Sequence, residues 1–281
     1  MANILVTGSN GQLGSEIKAI SGNYRQHGFY FTDIKELDLT KKDKVEGFIS
    51  ENSIDACVNC AAYTAVDKAE DDRDLAMLVN SKAAGILAKS CNKLNVRLIH
   101  ISTDYVFNGN NFRPYAEDDE PSPNSYYGLT KLAGERSVTD NLDNHVIIRT
   151  SWLYSNYGNN FVKTMRRLGG ERDELGVVVD QIGTPTFAAD LALAIMATIE
   201  SSKTGIYHYS NMGVISWYDF AKAIMELSNI NCKVNAIESK DFPAKAARPF
   251  YSVLNKAKII SDFNIEIPYW LDSLKLMISR I

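Results

Sequence analysis

The sequence predicts an α/β fold built on a doubly wound parallel sheet, with a smaller C-terminal α/β lobe. Two observations carry this. Up to about Tyr154, short apolar β-rich runs alternate with stretches of helical periodicity, the rhythm of successive βαβ units. The first of these runs leads straight into three evenly spaced glycines and then a helical pattern, a junction at which parallel sheets accept ligands.

Asn3-Ile4-Leu5-Val6-Thr7 is the first strand, followed by Gly8-Ser9-Asn10-Gly11-Gln12-Leu13-Gly14 and a helical pattern from Ser15 to about Ile20. Gly8 permits the tight turn, Gly11 lets the backbone approach a pyrophosphate, and Gly14 lets helix and strand pack closely. The helix start adds free amides and a positive dipole end. This is a Rossmann-like unit, although its G-x-x-G-x-x-G spacing is one residue wider than the usual G-x-G-x-x-G. A second strand, Gly28 to Thr32, ends at Asp33, 19 residues past Gly14. An acid at this interval accepts ribose hydroxyls and repels a 2′-phosphate, which favours NAD; Lys35 softens that repulsion. Asp38-Leu39, before a helix starting near Lys41, either borders an adenine or belongs to a solvated turn.

The third strand, Asp55 to Cys60, runs into Ala61-Ala62-Tyr63-Thr64, whose small residues allow close passage by a ligand. Asp74 to Asn92 reads as one long helix, with Leu75, Leu78, Val79, Lys82, Ile86 and Leu87 on its core face. The fourth strand, Val96 to Ile101, delivers Ser102-Thr103-Asp104 at its carboxyl end, where a hydroxyl pair can hold a carbonyl. His100, inside the strand, reads as a core residue. A long loop from Asn108 to Asn124 contains Pro114, Pro121 and Pro123.

That loop leads into Ser125-Tyr126-Tyr127-Gly128-Leu129-Thr130-Lys131. Tyr127 and Lys131 are four apart and share one face of a helix, whereas Tyr126 is matched at that spacing by uncharged Thr130. A cation ~4 Å from a phenol, at an effective dielectric of ~20, is worth ~4 kcal/mol, about three pKa units below the free value near ~10. The spacing therefore predicts a Tyr127 with a lowered pKa, usable as a general acid. The helix runs to about Asn141, and a fifth strand, His145 to Arg149, ends in Thr150-Ser151-Trp152.

Beyond Tyr154 the pattern predicts a helix at about 160–168, a polar turn at 171–174 and a strand at 176–179. A loop at 180–186 and a helix at 188–199 follow. Then come a strand at 205–209 and helices at 217–227, 252–260 and 269–279. No clean linker separates the halves. Residues 1–152 form one domain, joined by return segments within about 186–215, and 153–281 form a discontinuous lobe laid over it.

The chain has 281 residues, 45% of them hydrophobic, enough for a proper core. A formal charge of −4 and no basic cluster longer than a pair exclude nucleic acid and acidic membranes as partners. With no leader pattern and no apolar run near ~18 residues, the expectation is a soluble cytoplasmic protein. The four cysteines are too few for a disulfide scaffold. Cys57 and Cys60 resemble a redox or zinc pair, but on a strand they point to opposite faces, so core packing is expected.

The glycine turn, Ser102/Thr103 and Tyr127-x3-Lys131, in this order, resemble the extended short-chain dehydrogenase/reductase superfamily. Within it the chain is similar to the dTDP-4-dehydrorhamnose reductase family. That likeness rests on Ser102-Thr103-Asp104-Tyr105-Val106-Phe107, Ala62 to Glu70, Tyr127 to Glu135, Arg149 to Trp152, Gly158 to Phe161, Asp180 to Thr186 and Arg248-Pro249. A 4,6-dehydratase would carry an acid where Tyr105 stands. The resemblance implies reduction of the 4-keto group of dTDP-4-dehydro-L-rhamnose, with NADPH or NADH as cofactor.

It also implies roles. Tyr127 is the acid, Lys131 holds the nicotinamide ribose, and Thr103 bonds the reacting oxygen. Gly8, Gly11, Gln12, Leu13, Gly14, Asp33, Asp38, Leu39, Ala62, Tyr63 and Thr64 line the cofactor. Thr103, Asp104 and Trp152 meet the sugar, and Arg248 meets the diphosphate of the dTDP-sugar substrate. Asn160 and Gln181 are weaker matches. Some members form magnesium-linked dimers through glutamates; Glu16 matches one, but Ala188-Ala189-Asp190 and Ile278-Ser279-Arg280-Ile281 lack the others. No metal site is expected, and the chain should be a monomer or weak homodimer. A reductase of another dTDP-4-keto sugar, or a non-catalytic cofactor-binding subunit, are the competing readings.

Overall fold

A computed structural model describes all 281 residues, Met1–Ile281. The first half is βα repetition: β1 (Asn3–Thr7), α1 (Gln12–Ile20), β2 (Gly28–Thr32), α2 (Lys42–Glu51), β3 (Ala56–Asn59), a helical stretch α3 (73–93), β4 (Arg97–Thr103), α4 (Tyr126–Thr139) and β5 (His145–Thr150). Then follow α5 (Phe161–Glu171), β6 (Glu174–Val178), α6 (Ala188–Ile199), β7 (Gly205–Tyr209), α7 (Trp217–Leu227), β8 (Lys233–Ile237), α8 (Ala257–Phe263) and α9 (Trp270–Ile278).

Six strands form one all-parallel sheet in the order β7-β5-β4-β3-β1-β2. The chain winds outward from β1 to β2, then returns to β3 on the other side, so the carboxyl ends of β1 and β3 flank the switch point where such sheets bind ligands. Side chains alternate between two buried layers. Ile4, Val6, Val58, Ile99 and Ile148 face α1 and α6, whose Ile17, Leu191 and Ile195 share that core. Leu5, Cys57, Leu98 and Ile147 face α2, α3 and α4, which contribute Val45, Ile49, Leu87 and Val138. Cys57 and Cys60 accordingly pack into different layers, and all four cysteines are free. A third core gathers Tyr154, Val162, Met165, Val177, Phe220, Ile224 and Trp270 from the later elements. There Ser216 and Asp219 form a reciprocal capping box on α7.

Four sequence readings need correction. The 73–93 helix is interrupted by a π turn over Leu78–Lys82, which shifts the helical phase. Leu75 is therefore exposed, and the buried face is Ala76, Asn80, Ala83, Ala84, Leu87 and Ala88. These short side chains let α4 come so close that a Cβ on Gly134 would lie 2.1 Å from the Asn80 carbonyl oxygen. Helix α5 extends to Glu171, consuming the start of the polar turn. The helix placed at 252–260 starts only at Ala257, because residues 252–255 run extended against the long loop: Tyr115 N–H donates to Val253 O and Asn255 N–H to Tyr115 O. Strand β8 was not anticipated; it pairs in parallel with β6. No helix is long and apolar enough to cross a membrane.

Candidate active site

A cleft of about 320 Å³ opens at the switch point, lined by Gly8, Gly11, Asp33, Asp38, Leu39, Cys60 and Ala62 among others. Gly8 has φ +64°, and a Cβ there would sit 2.6 Å from the Ala61 nitrogen, so only glycine fits. A Cβ on Gly14 would meet Ser9 Cα at 2.5 Å, which seals helix against turn. The N-cap of α1 is Gly11, and no side chain caps that helix. Its first amides are thus left for an external acceptor. These features fit a dinucleotide diphosphate.

The remaining cofactor residues divide. The Asp33 carboxylate accepts from the amides of Asn10 at 3.2 Å and Ile34 at 2.8 Å, fixing it beside the glycine turn. Asp38 lines the cleft and also closes its own turn, accepting from the Thr40 amide and hydroxyl; the hydroxyl bond is the main cause holding its carboxyl below the usual range. Leu13 turns its side chain into the core. Gln12 Oε1 accepts from Asn160 Nδ2 at 3.0 Å, tying the glycine turn to the second half. Tyr63 is held at both backbone groups by the buried Asn80 side chain, its hydroxyl donating to Asp72, while Thr64 is exposed.

Helix α4 begins where Ser125 Oγ accepts from the Gly128 amide at 3.2 Å. A Cβ on Gly128 would lie 2.2 Å from the Tyr105 carbonyl, so glycine lets α4 press onto the turn after β4. That contact brings Tyr127 to Thr103. Both Tyr127 and Lys131 are buried, at 9% and 2% exposure. Burial pushes the Tyr127 phenol up to about 12; a hydrogen bond with Thr103 opposes this and the Asp104 charge adds to it. The expected lowering by Lys131 is absent. Burial takes Lys131 down to about 8, with Glu135 and Cys60 pulling it upward, and its ammonium donates to Ile101 O at 2.6 Å. The phenol is therefore held in its protonated form, the form a proton donor needs.

Tyr126 has a packing role: its amide donates to Glu70 Oε1 and its ring lies 4.9 Å from the Arg73 guanidinium. Ser102 drops out as a ligand for the reacting oxygen, because its hydroxyl donates to the buried Glu135 carboxylate. Glu135 is also held bidentately by Arg149, at 2.9 and 2.7 Å. The pair ties α4 to β5. His100 is a core residue, its Nδ1 bonded to Asn59.

On the other side of Thr103, Asp104 is 1% exposed, and burial raises its carboxyl to about 6. Thr103 Oγ1 donates to its Oδ1 at 3.0 Å, and Oδ2 has no partner. A cavity of about 610 Å³ opens beside Tyr105 and is lined by Phe161, Arg172, Gln181, Trp217, Phe242 and Arg248 among others. Tyr105 meets Tyr127 edge to face at 5.5 Å. Trp152 adopts φ 48° and stacks at 3.7 Å on Trp217, which lines the cavity; left-handed backbone at a bulky residue is strained. Asn160 caps α5, accepting from the Lys163 amide, and Gln181 Nε2 donates to Ser239. Glu16 is buried, accepting from Ser155 Oγ at 2.7 Å. The lining residues Phe161, Trp217 and Phe242 escaped the sequence reading, since nothing in their local pattern separates a cavity wall from core.

A glycine-turn cleft at the carboxyl edge of a parallel sheet, with threonine, tyrosine and lysine beside it, defines the extended short-chain dehydrogenase/reductase class of nicotinamide-dependent oxidoreductases. A family model described as the RmlD substrate binding domain matches residues 1–281, and the chain belongs to that family. It is 40% identical over 288 residues to a dTDP-4-dehydrorhamnose reductase of Aggregatibacter actinomycetemcomitans, covering 98% of each chain. A dTDP-4-keto-6-deoxy-D-glucose reductase of Streptomyces niveus is 38% identical over 252 residues, 89% of this chain and 87% of that protein. The crystal structure of a dTDP-4-dehydrorhamnose reductase from Bacillus anthracis in complex with NADP matches with a TM-score of 0.96 at 40% identity, covering 100% of this chain and 99% of that one.

Proposed function

We propose that the protein reduces the 4-keto group of dTDP-4-dehydro-L-rhamnose to dTDP-L-rhamnose with NAD(P)H. The relatives of that name, aligned over nearly the whole chain, support the substrate. One observation carries the chemistry: a buried, neutral phenol, Tyr127, its pKa raised by burial and lowered by Thr103, whose ring meets edge to face the Tyr105 ring that lines the adjoining cavity.

When bound, the reduced nicotinamide supplies the hydride. The chain's own residues do the rest. Gly8, Gly11 and the first amides of α1 receive the cofactor diphosphate, and Asp33 faces the adenosine ribose. Lys131 holds the nicotinamide ribose. On substrate binding Thr103 Oγ1 turns its one proton from Asp104 Oδ1 to the C4 oxygen, and as negative charge develops there Tyr127 Oη delivers its proton; solvent later restores it. Asp104 and Trp152 orient the sugar, and Arg248 receives the diphosphate, for which a guanidinium fork suits paired oxygens. Residues 1–152 with the return segment at about 186–215 serve the cofactor, and 153–281 the sugar nucleotide. The chain works as a monomer or weak homodimer.

The Streptomyces relative supports a second reading, reduction of a different dTDP-4-keto sugar. Oxidation of NADPH and NADH, followed at 340 nm in parallel with dTDP-4-dehydrorhamnose and other dTDP-4-keto sugars, separates the two. Fastest turnover on dTDP-4-dehydrorhamnose is expected. Turnover on none of them, with cofactor still bound, would point to a non-catalytic subunit.

A further inference from the structure

Arg248 reaches across from the second half of the chain to the loop that follows β3. Its Nη2 donates to Asp67 Oδ2 at 2.8 Å and its Nη1 to Asp67 Oδ1 at 3.3 Å, so the carboxylate sits end-on against the two terminal nitrogens. Nη1 also donates to Ala246 O at 3.3 Å. Asp67 is held in turn, accepting from the Ala246 amide at 3.0 Å, and Lys245 pairs with Asp71 beside it. Burial would raise the Asp67 carboxyl; the bonds from Arg248 and Ala246 outweigh it and hold the group below the usual carboxylate range. The Asp67 carboxyl is ionised at neutral pH.

Counting donors shows what this leaves. A guanidinium has five N–H groups. Three are used: two by Asp67 and one by Ala246 O. The two that remain are Nε–H and the second hydrogen of Nη2. They lie parallel along one edge and form a complete side-on fork, the geometry that grips two oxygens of a phosphate. Arg248 lines the 610 Å³ cavity beside Tyr105.

We propose that Asp67 is a positioning residue for recognition of the substrate's diphosphate: it takes the end-on face of Arg248 and presents the side-on fork to that group. The proposal rests on the reading of Arg248 as the diphosphate ligand. A flexible arginine beside an apolar cavity wall would lose rotamer freedom on binding. Asp67 fixes that geometry beforehand, and the Ala246 amide keeps the carboxylate in place when a second anion approaches. Asp67 would be a competitor instead if it left the guanidinium on substrate binding, and removing it would then tighten binding.

Calorimetric titration of dTDP, thymidine and NADP+ into wild type, Asp67→Asn, Asp67→Glu, Arg248→Gln and the Asp67→Asn/Arg248→Gln double variant tests this. Expected are about tenfold weaker dTDP binding in Asp67→Asn, partial recovery in Asp67→Glu, thymidine and NADP+ within twofold of wild type, and a double variant no weaker than Arg248→Gln. Tighter or unchanged dTDP binding in Asp67→Asn overturns the proposal. So does a loss that extends equally to thymidine and NADP+, the mark of a scaffold role. If Arg248→Gln leaves dTDP binding unchanged, the reading of Arg248 itself fails, and the proposal with it.

Discussion

Lys131 donates its ammonium to the main-chain carbonyl of Ile101 at 2.6 Å, anchoring α4 to the carboxyl end of β4 without forming an ion pair with Tyr127. Burial takes the lysine down to about 8, while the tyrosine stays protonated up to about 12.

The first prediction concerns pH. A lysine cation that holds the ribose is present below its pKa and lost above it, so kcat/KM for reduction should fall as pH rises through about 8. Glu135 acts on this amine from α4 and Cys60 from the residue after β3, and His100 lies within reach of its charge from β4. Lys131→Arg, cationic at all accessible pH, should keep the rate level past pH 9. A limb that remains near 8 in that variant would assign it to another group.

Asp33 should set cofactor choice. Its carboxylate is fixed beside the glycine turn by the Asn10 amide, and on the proposed reading it accepts ribose hydroxyls and repels a 2′-phosphate. Asp33→Asn keeps an acceptor and removes the charge. The ratio of kcat/KM for NADPH over NADH should rise by about tenfold. An unchanged ratio would place the 2′-position away from Asp33.

The Glu135–Arg149 pair, each side chain 2% exposed, should be costly to break from one side. Glu135→Ala leaves a buried guanidinium uncompensated and should lower the unfolding free energy by about 3–5 kcal/mol in urea titration. Replacing both residues by methionine should recover most of it. A loss under about 1 kcal/mol for the single change would show that water or another acceptor rescues Arg149.

The sequence carried the sheet and the cleft because their signals are local. Asn3 to Gly14 spells strand, turn and helix in twelve consecutive residues, and Gly8 and Gly14 are needed there by contacts at 2.6 and 2.5 Å. What escaped is set by partners far along the chain. Residues 252–255 run extended because they pair with Tyr115, and β8 exists because β6 lies beside it. Asp67 meets Arg248 across 181 positions. The tyrosine–lysine spacing correctly put two side chains on one helix face. It could not say where a four-carbon stem ends, and the Ile101 carbonyl, not the phenol, receives the ammonium.

The central claim is that Tyr127 delivers the proton to the C4 oxygen. Steady-state turnover of Tyr127→Phe with NADPH and dTDP-4-dehydrorhamnose, alongside its NADPH dissociation constant, tests it most directly. Loss of a general acid should lower kcat by ~10²–10⁴-fold while leaving cofactor affinity within about twofold of wild type. Turnover at the wild-type rate would remove Tyr127 from the mechanism.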